Sequence, residues 1–199
     1  MTSAQSGAGA APAAQPLPDF SQWGEIEKIP LSGVRKATAL ALGYAWSVVP
    51  HVTQDDKADI TGVEEFRKKY TPEAQRAGGK LTMTAILLKI TAGALKTFPQ
   101  FNASIDMANE EVIFKKYYNI GVAVDTDRGL LVPVIKDVDK KGIIELSVEL
   151  NEIAEKARNK KIGPDEMRGG NFTISNLGGI GGTHFSPIVY SPQVAILGV

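Results

Sequence analysis

Asn171-Phe172-Thr173-Ile174-Ser175-Asn176-Leu177-Gly178-Gly179-Ile180-Gly181-Gly182-Thr183-His184-Phe185 opens the closing stretch of a 199-residue chain. It starts as an alternating strand, with Phe172 and Ile174 on one face and Thr173 and Ser175 on the other. Four glycines follow, at 178, 179, 181 and 182, and leave the backbone free to take positive φ and approach a ligand closely. The run Val194 to Val199 is apolar and suits a buried strand. The sequence stops inside that run, so the domain is expected to be incomplete at its C-terminus.

Working back from this stretch, Ile144 to Arg158 shows helical periodicity, with Leu146, Leu150, Ile153 and Ala157 on one face. Glu152 and Lys156 are spaced for an i,i+4 ion pair worth about 0.2–0.5 kcal/mol. Gly163-Pro164 is expected to break this helix. Strands are expected at Ala103–Ile105, Val112–Phe114, Ile120–Val124 and Leu130–Ile135. The Val-rich Ile120–Val124 segment reads as buried on both faces, and Asp127-Arg128-Gly129 as the hairpin turn after it. Thr82 opens a helix with Met83, Ile86, Leu87, Ile90 and Ala94 on its core stripe. Thr61 caps another, through Phe66 to about Arg76, which carries Arg67-Lys68-Lys69. His51 to Ile60 reads as a strand. Ser32 is the expected N-cap of a helix from Gly33 to Ser47, whose middle, Ala37 to Trp46, is apolar almost all round and so is expected to be buried between other elements or subunits. Helices and strands mix without a βαβ rhythm, which gives an α+β class.

The first residues differ in kind. Met1 to about Asp19 is Ala, Gly, Ser, Gln and Pro with little to bury, and residues 1–29 are expected to form a flexible linker ahead of a domain over residues 30–199. A cloning remnant would have the same composition. Lys+Arg and Asp+Glu both number 22, so charge gives no reason to expect a nucleic-acid or membrane partner. No apolar run reaches membrane-spanning length. The N-terminus lacks a signal or transit pattern, and the cytoplasm is the expected compartment, with the mitochondrial matrix as the other choice. There is no cysteine, which excludes disulfides and thiolate chemistry by the chain itself.

The glycine loop does not fit Gly-x-Gly-x-x-Gly and is not followed by Gly-Lys-Ser/Thr, so neither a dinucleotide nor a P-loop signature is met. Two distant histidines and no cysteine support no metal site. His51-Val52-Thr53-Gln54-Asp55 spells His-x-x-x-Asp, but on a strand those two residues stand roughly 13 Å apart, too far for the carboxylate to support the imidazole. On residues alone, Ser175 reads as a serine ending a strand and bonding nearby backbone.

Several blocks, in order, resemble the dihydrolipoamide acyltransferase cores of 2-oxo acid dehydrogenase complexes, and within them the acetyl-transferring members of the pyruvate complex. The blocks are Pro50-His51-Val52-Thr53-Gln54 with Lys57-Ala58-Asp59-Ile60-Thr61, Phe101-Asn102-Ala103-Ser104, Asn119 to Thr126 continuing through Gly129-Leu130-Leu131-Val132-Pro133-Val134, and Gly178 to Val189. The Ala39-Leu40-Ala41-Leu42-Gly43 run is more apolar than the family's pattern. The resemblance implies a chloramphenicol-acetyltransferase-like fold, a sandwich of a mixed sheet and helices. It also implies transfer of an acetyl group from a dihydrolipoyl thiol to coenzyme A in a channel between subunits of a homotrimer that builds a cage. Lipoyl domains, the decarboxylase and dihydrolipoamide dehydrogenase would be the partners.

The same resemblance assigns residues. Ser175 stands where the family donates a hydroxyl to the oxyanion of the tetrahedral intermediate, and Arg67, Thr82, Asp125, Ser175 and Asn176 match positions that contact coenzyme A. Guanidinium suits phosphate through forked donors, and a helix start favours anions; solvated charges and an ordinary cap are the plainer readings of these residues. The family's general base belongs to a His-x-x-x-Asp-Gly motif absent from the 199 residues. The chain is therefore expected to be inactive by itself, and His184 is expected at an interface or in the core. Two alternatives remain at this point: an antibiotic acetyltransferase of the same fold, or a non-catalytic scaffold subunit.

Overall fold

A computed structural model describes residues 16–199. The chain divides at Leu31/Ser32 into two units. In the first, residues 16–31, a single 3-10 turn, Phe20–Gln22, is capped by the Asp19 carboxylate, which accepts the Ser21 amide at 3.1 Å and its hydroxyl at 2.6 Å. The rest of the expected linker, up to residue 15, lies outside the described residues.

The second unit, Ser32–Val199, contains four helices: α1 (Gly33–Val48), α2 (Thr61–Arg76), α3 (Met83–Thr97) and α4 (Ile143–Arg158). Its strands are β1 (Ala103–Asp106), β2 (Glu111–Phe114), β3 (Ile120–Val122), β4 (Val134–Ile135), β5 (Phe172–Ser175) and β6 (Ile196–Gly198). β1 and β2 form an antiparallel hairpin. The other four make a mixed sheet of order β4-β3-β5-β6, with β3, β5 and β6 parallel and β4 antiparallel to β3. The class is α+β. The β3–β4 turn falls as expected: the Val124–Leu131 bridge closes it, and Gly129 takes a φ of 124° within it.

The sheet is two-faced because side chains alternate along each strand and registered residues share a face. Ile120, Val122, Phe172, Ile174 and Leu197 point to one face and join the core formed with α2, α3 and α4. Leu146, Leu150, Ile153 and Ala157 supply the buried stripe of α4, as the periodicity predicts. Gly121, Thr173, Ser175 and Gly198 belong to the opposite face. β6 is the last strand in the sheet order, and Ile196 and Leu197 are half-buried where full burial was expected.

Several expectations change. α3 buries Ala85, Ile86, Leu88, Thr91, Ala92 and Leu95, while Ile90 is 51% exposed. The helix is apolar on most sides, so packing rather than periodicity sets its rotation. Lys89 is half-buried, its ammonium donating to the carbonyls of Asp139 (2.8 Å) and Lys141 (2.6 Å). α4 ends at Arg158, ahead of Gly163-Pro164, and Lys156 pairs with Glu166 at 2.9 Å rather than with Glu152. Thr61 is the first residue of α2 rather than its cap: the N-cap position is Ile60, which makes no side-chain cap bond, and Asp59 before it accepts the Thr61 amide at 2.9 Å. Residues 51–60 form no strand: Asp56 and Asp59 turn their carboxylates onto the amides of Lys57 and Thr61, offering the backbone an alternative to a ladder. α1 starts at the expected cap, Ser32, which accepts the Arg35 amide and donates to Arg128 O at 3.0 Å. Only Ala45 of α1 is buried, however, and Leu40, Tyr44 and Trp46 are each more than 60% exposed.

Candidate active site

Ser175 ends β5, where the chain leaves the sheet. Its carbonyl accepts the Val199 amide at 2.9 Å, and Val199 O in turn accepts Leu177 N at 2.8 Å, which pins this corner to β6. Its hydroxyl takes part in none of the hydrogen bonds among the described residues, leaving a half-buried donor available. That is the state an oxyanion donor requires before substrate arrives.

Two cavities lie near this end of β5, and Ser175 is among the lining residues of neither. An apolar groove of about 480 Å³ runs between α1 and the sheet, with Gly121, Val134, Thr173 and Gln193 among its lining residues. A second cavity of about 560 Å³ is lined by Leu177, Gly178, Gly181, Gly182, His184, Phe185, Gly198 and Val199, with Asp55 to Lys57 across from them. Thr173 lines the groove and Leu177 lines the cavity, and Ser175 lies between these two residues in sequence, at the end of β5. The groove floor is rigid: Thr173 Oγ1 donates to Gln193 Oε1 at 2.7 Å, and both residues are buried. In the glycine loop, Gly181 and Gly182 hold φ of 96° and 120°; Gly178 and Gly179 do not need the left-handed region.

The other predicted residues divide into a cluster and an outlier. Asn176 accepts Gly178 N at 2.7 Å and donates through Nδ2 to Thr84 Oγ1 at 3.1 Å, which brings it to the first turn of α3. Thr82 is the N-cap of that helix, accepting Ala85 N at 3.2 Å. Asp125 is exposed just beyond the Val124–Leu131 bridge, at the same end of the parallel strands, since Ala123 N donates to Ile174 O at 3.0 Å. Arg67, by contrast, spends both forked nitrogens on Glu64 of its own helix, at 2.7 and 2.5 Å. The pair pulls the Glu64 carboxyl below its ordinary range and raises the guanidinium. Thr84 was missed by sequence reasoning; its signal was a second hydroxyl two residues after the cap.

His51 lies outside both cavities, and its ring is fully engaged. Nδ1 faces Val49 O at 2.8 Å and Nε2 faces the Val189 amide at 2.9 Å. A carbonyl can only accept and an amide N–H can only donate, so Nδ1 carries the proton and Nε2 accepts. His184 is exposed rather than buried, and its Nδ1 lies 3.1 Å from Asp55 Oδ1 at the cavity rim. Among the described residues, no group of three or more His, Asp or Glu side chains is placed to hold a metal ion.

A profile of the 2-oxoacid dehydrogenases acyltransferase (catalytic domain) matches residues 24–199. The chain belongs to this acyltransferase family. A dihydrolipoyllysine-residue acetyltransferase component of the pyruvate dehydrogenase complex from Haemophilus influenzae is 54% identical over 186 residues, covering 92% of this chain and 33% of the relative. Among solved structures, the dihydrolipoamide acetyltransferase of Azotobacter vinelandii superposes with a TM-score of 0.90 at 51% identity, covering 93% of this chain and 76% of that one. A structure described as the cubic core of the pyruvate dehydrogenase multienzyme complex gives the same values. The chain spans about a third of the length of the curated relatives it matches. Its mixed sheet and helices are the chloramphenicol-acetyltransferase-like fold of the acyltransferase family.

Proposed function

We propose that this acyltransferase-family domain moves an acetyl group from a dihydrolipoyl thiol to coenzyme A, as part of a pyruvate dehydrogenase complex. The observation that carries the reading is the unengaged hydroxyl of Ser175 at the end of β5, two residues after groove-lining Thr173 and two before cavity-lining Leu177. In the proposed reaction the two thiols meet at that hydroxyl. The thiolate of coenzyme A attacks the acetyl carbonyl, the C–O π pair moves onto oxygen, and Ser175 Oγ–H donates to that oxyanion. Collapse expels the dihydrolipoyl sulfur, which takes up the proton that coenzyme A gave to the base. Asn176, Thr82 and Asp125, gathered at one end of the sheet, and Arg67 on α2 are the proposed contacts for coenzyme A.

The base is not one of the two histidines described. His51 is committed at both nitrogens, and His184, whose Nδ1 faces Asp55 at the cavity rim, does not begin the family's His-x-x-x-Asp-Gly motif. A polypeptide of Met1–Val199 therefore transfers no acetyl group at a useful rate, since a missing general base costs about 10²–10⁴ in rate. Assembly into a trimer-based cage with lipoyl domains and the other enzymes of the complex is proposed by likeness to the relative solved as a cubic core and from the large apolar side chains that α1 exposes. A steady-state assay with acetyl-dihydrolipoamide and coenzyme A tests the reading. Turnover by the full-length protein that falls with Ser175→Ala supports it; turnover by Met1–Val199 matching the full-length rate overturns the assignment of the base.

A further inference from the structure

Residues 51–55 and 184–189 run in opposite directions and are joined by side chains where a sheet would use its backbone. His51 Nε2 accepts Val189 N at 2.9 Å, Thr53 Oγ1 reaches Ser186 Oγ at 3.5 Å, and Asp55 meets His184 at 3.1 Å. The middle contact is long and the outer one is between exposed groups, which are worth little. The inner contact differs. His51 is half-buried, its ring stacks against Trp46 at 5.4 Å between centroids, and its second nitrogen is tied to Val49. A ring fixed in tautomer and orientation is a rigid acceptor.

What His51 holds lies against Ser175's side of the sheet. Phe185 and Pro187, in the strap held at Val189, pack on Gly198 so closely that a Cβ there would sit 2.9 Å from Phe185 Cζ and 3.3 Å from Pro187 Cγ. Gly198 is the registered partner of Ser175, and registered residues in parallel strands share a face. The phenyl ring therefore covers the strip beside the serine hydroxyl and forms part of the wall of the adjoining cavity.

We infer that His51 is a positioning residue: through Val189, it seats the Phe185–Val189 strap on Gly198, and the strap holds β6 and the Ser175 corner in place. This rests on the proposed role of Ser175 for its effect on catalysis, but not for its effect on structure. Two measurements on the full-length protein separate the two. Amide hydrogen exchange reads the structure: in His51→Ala, the protection of both Val189 and Val199 amides should fall about tenfold or more, while in His184→Ala the Val199 amide stays within about twofold of wild type. Acetyl transfer reads the catalysis: His51→Ala should lower kcat about tenfold with KM for coenzyme A unchanged, and adding it to Ser175→Ala should lower kcat no further. Unaltered Val199 protection in His51→Ala overturns the inference, as do losses that multiply in the double variant. If Ser175→Ala keeps the wild-type kcat, the role of the serine fails, and the exchange of Val199 still decides whether His51 holds the strand.

Discussion

Arg67 grips Glu64 one turn back on α2 through both Nε and Nη2, so the guanidinium proposed for coenzyme A is already neutralised by a carboxylate. A phosphate would have to use the remaining Nη1–Nη2 edge, with the Glu64 carboxylate opposing its charge. Arg67→Ala should weaken coenzyme A binding more than Lys69→Ala does, because Lys69 is exposed and lies over the Tyr70 ring. Glu64→Gln should tighten binding by removing the carboxylate charge that opposes the phosphate. Calorimetry on the full-length protein checks both, and equal losses for Arg67→Ala and Lys69→Ala would return Arg67 to a solvated pair.

The free hydroxyl of Ser175 carries the second prediction. Ser175→Ala should lower kcat by about 10²–10³ with little change in KM, the pattern of a contact made only in the transition state. Fold and core should be unaffected, since Ser175 Oγ supports no other group among the described residues. A fall in thermal stability matching the loss of activity would assign the residue a structural part instead.

Gly79 is the tightest point between the α2–α3 turn and α4. A Cβ added there would sit 2.6 Å from Ser147 Oγ and 2.8 Å from the Val148 backbone nitrogen, and helix backbone cannot swing aside. Gly79→Ala should cost about 1–3 kcal/mol by overpacking. Chemical denaturation reads this directly; a variant as stable as wild type would mean that α4 shifts freely.

Lys115 places its ammonium on neutral acceptors, Ala103 O at 3.1 Å and Ser104 Oγ at 2.6 Å, and burial lowers its pKa from 10.5. Between the lowered folded value and the unfolded one, the unfolded chain binds more protons, so this group's contribution to stability rises with pH through that window. Below it, both states are charged and the burial cost is present in full. Urea unfolding at pH 7 and pH 10 should show wild type gaining on Lys115→Met at the higher pH. A constant difference would argue against it.

The parts of the fold governed by a local pattern were legible in the sequence. α4 declared itself because Leu146, Leu150, Ile153 and Ala157 form one stripe against charged residues on the other side. α3 declared its start at Thr82 but not its rotation, because an almost wholly apolar helix leaves the choice between Ile90 and Leu88 to packing. The segment from His51 was misread as a strand: it carries polar groups at the positions where side chains, rather than a backbone ladder, make the long-range contacts. At the site, Ser175 owed its functional reading to family resemblance. The bond from Asn176 to Thr84 spans 92 positions, and Phe185 meets Gly198 only through the returning strap, so neither contact leaves a local pattern to read.

Trp46 gives the clasp an optical signature. Its indole is 66% exposed yet lies 5.4 Å from the His51 ring, so its emission depends on where that imidazole sits. The chain has two tryptophans, and with Trp23 replaced by phenylalanine, Trp46 is left as the sole indole fluorophore. Release of the strap from His51 would then be visible as a change in fluorescence intensity and lifetime, without a label, while the domain stays folded.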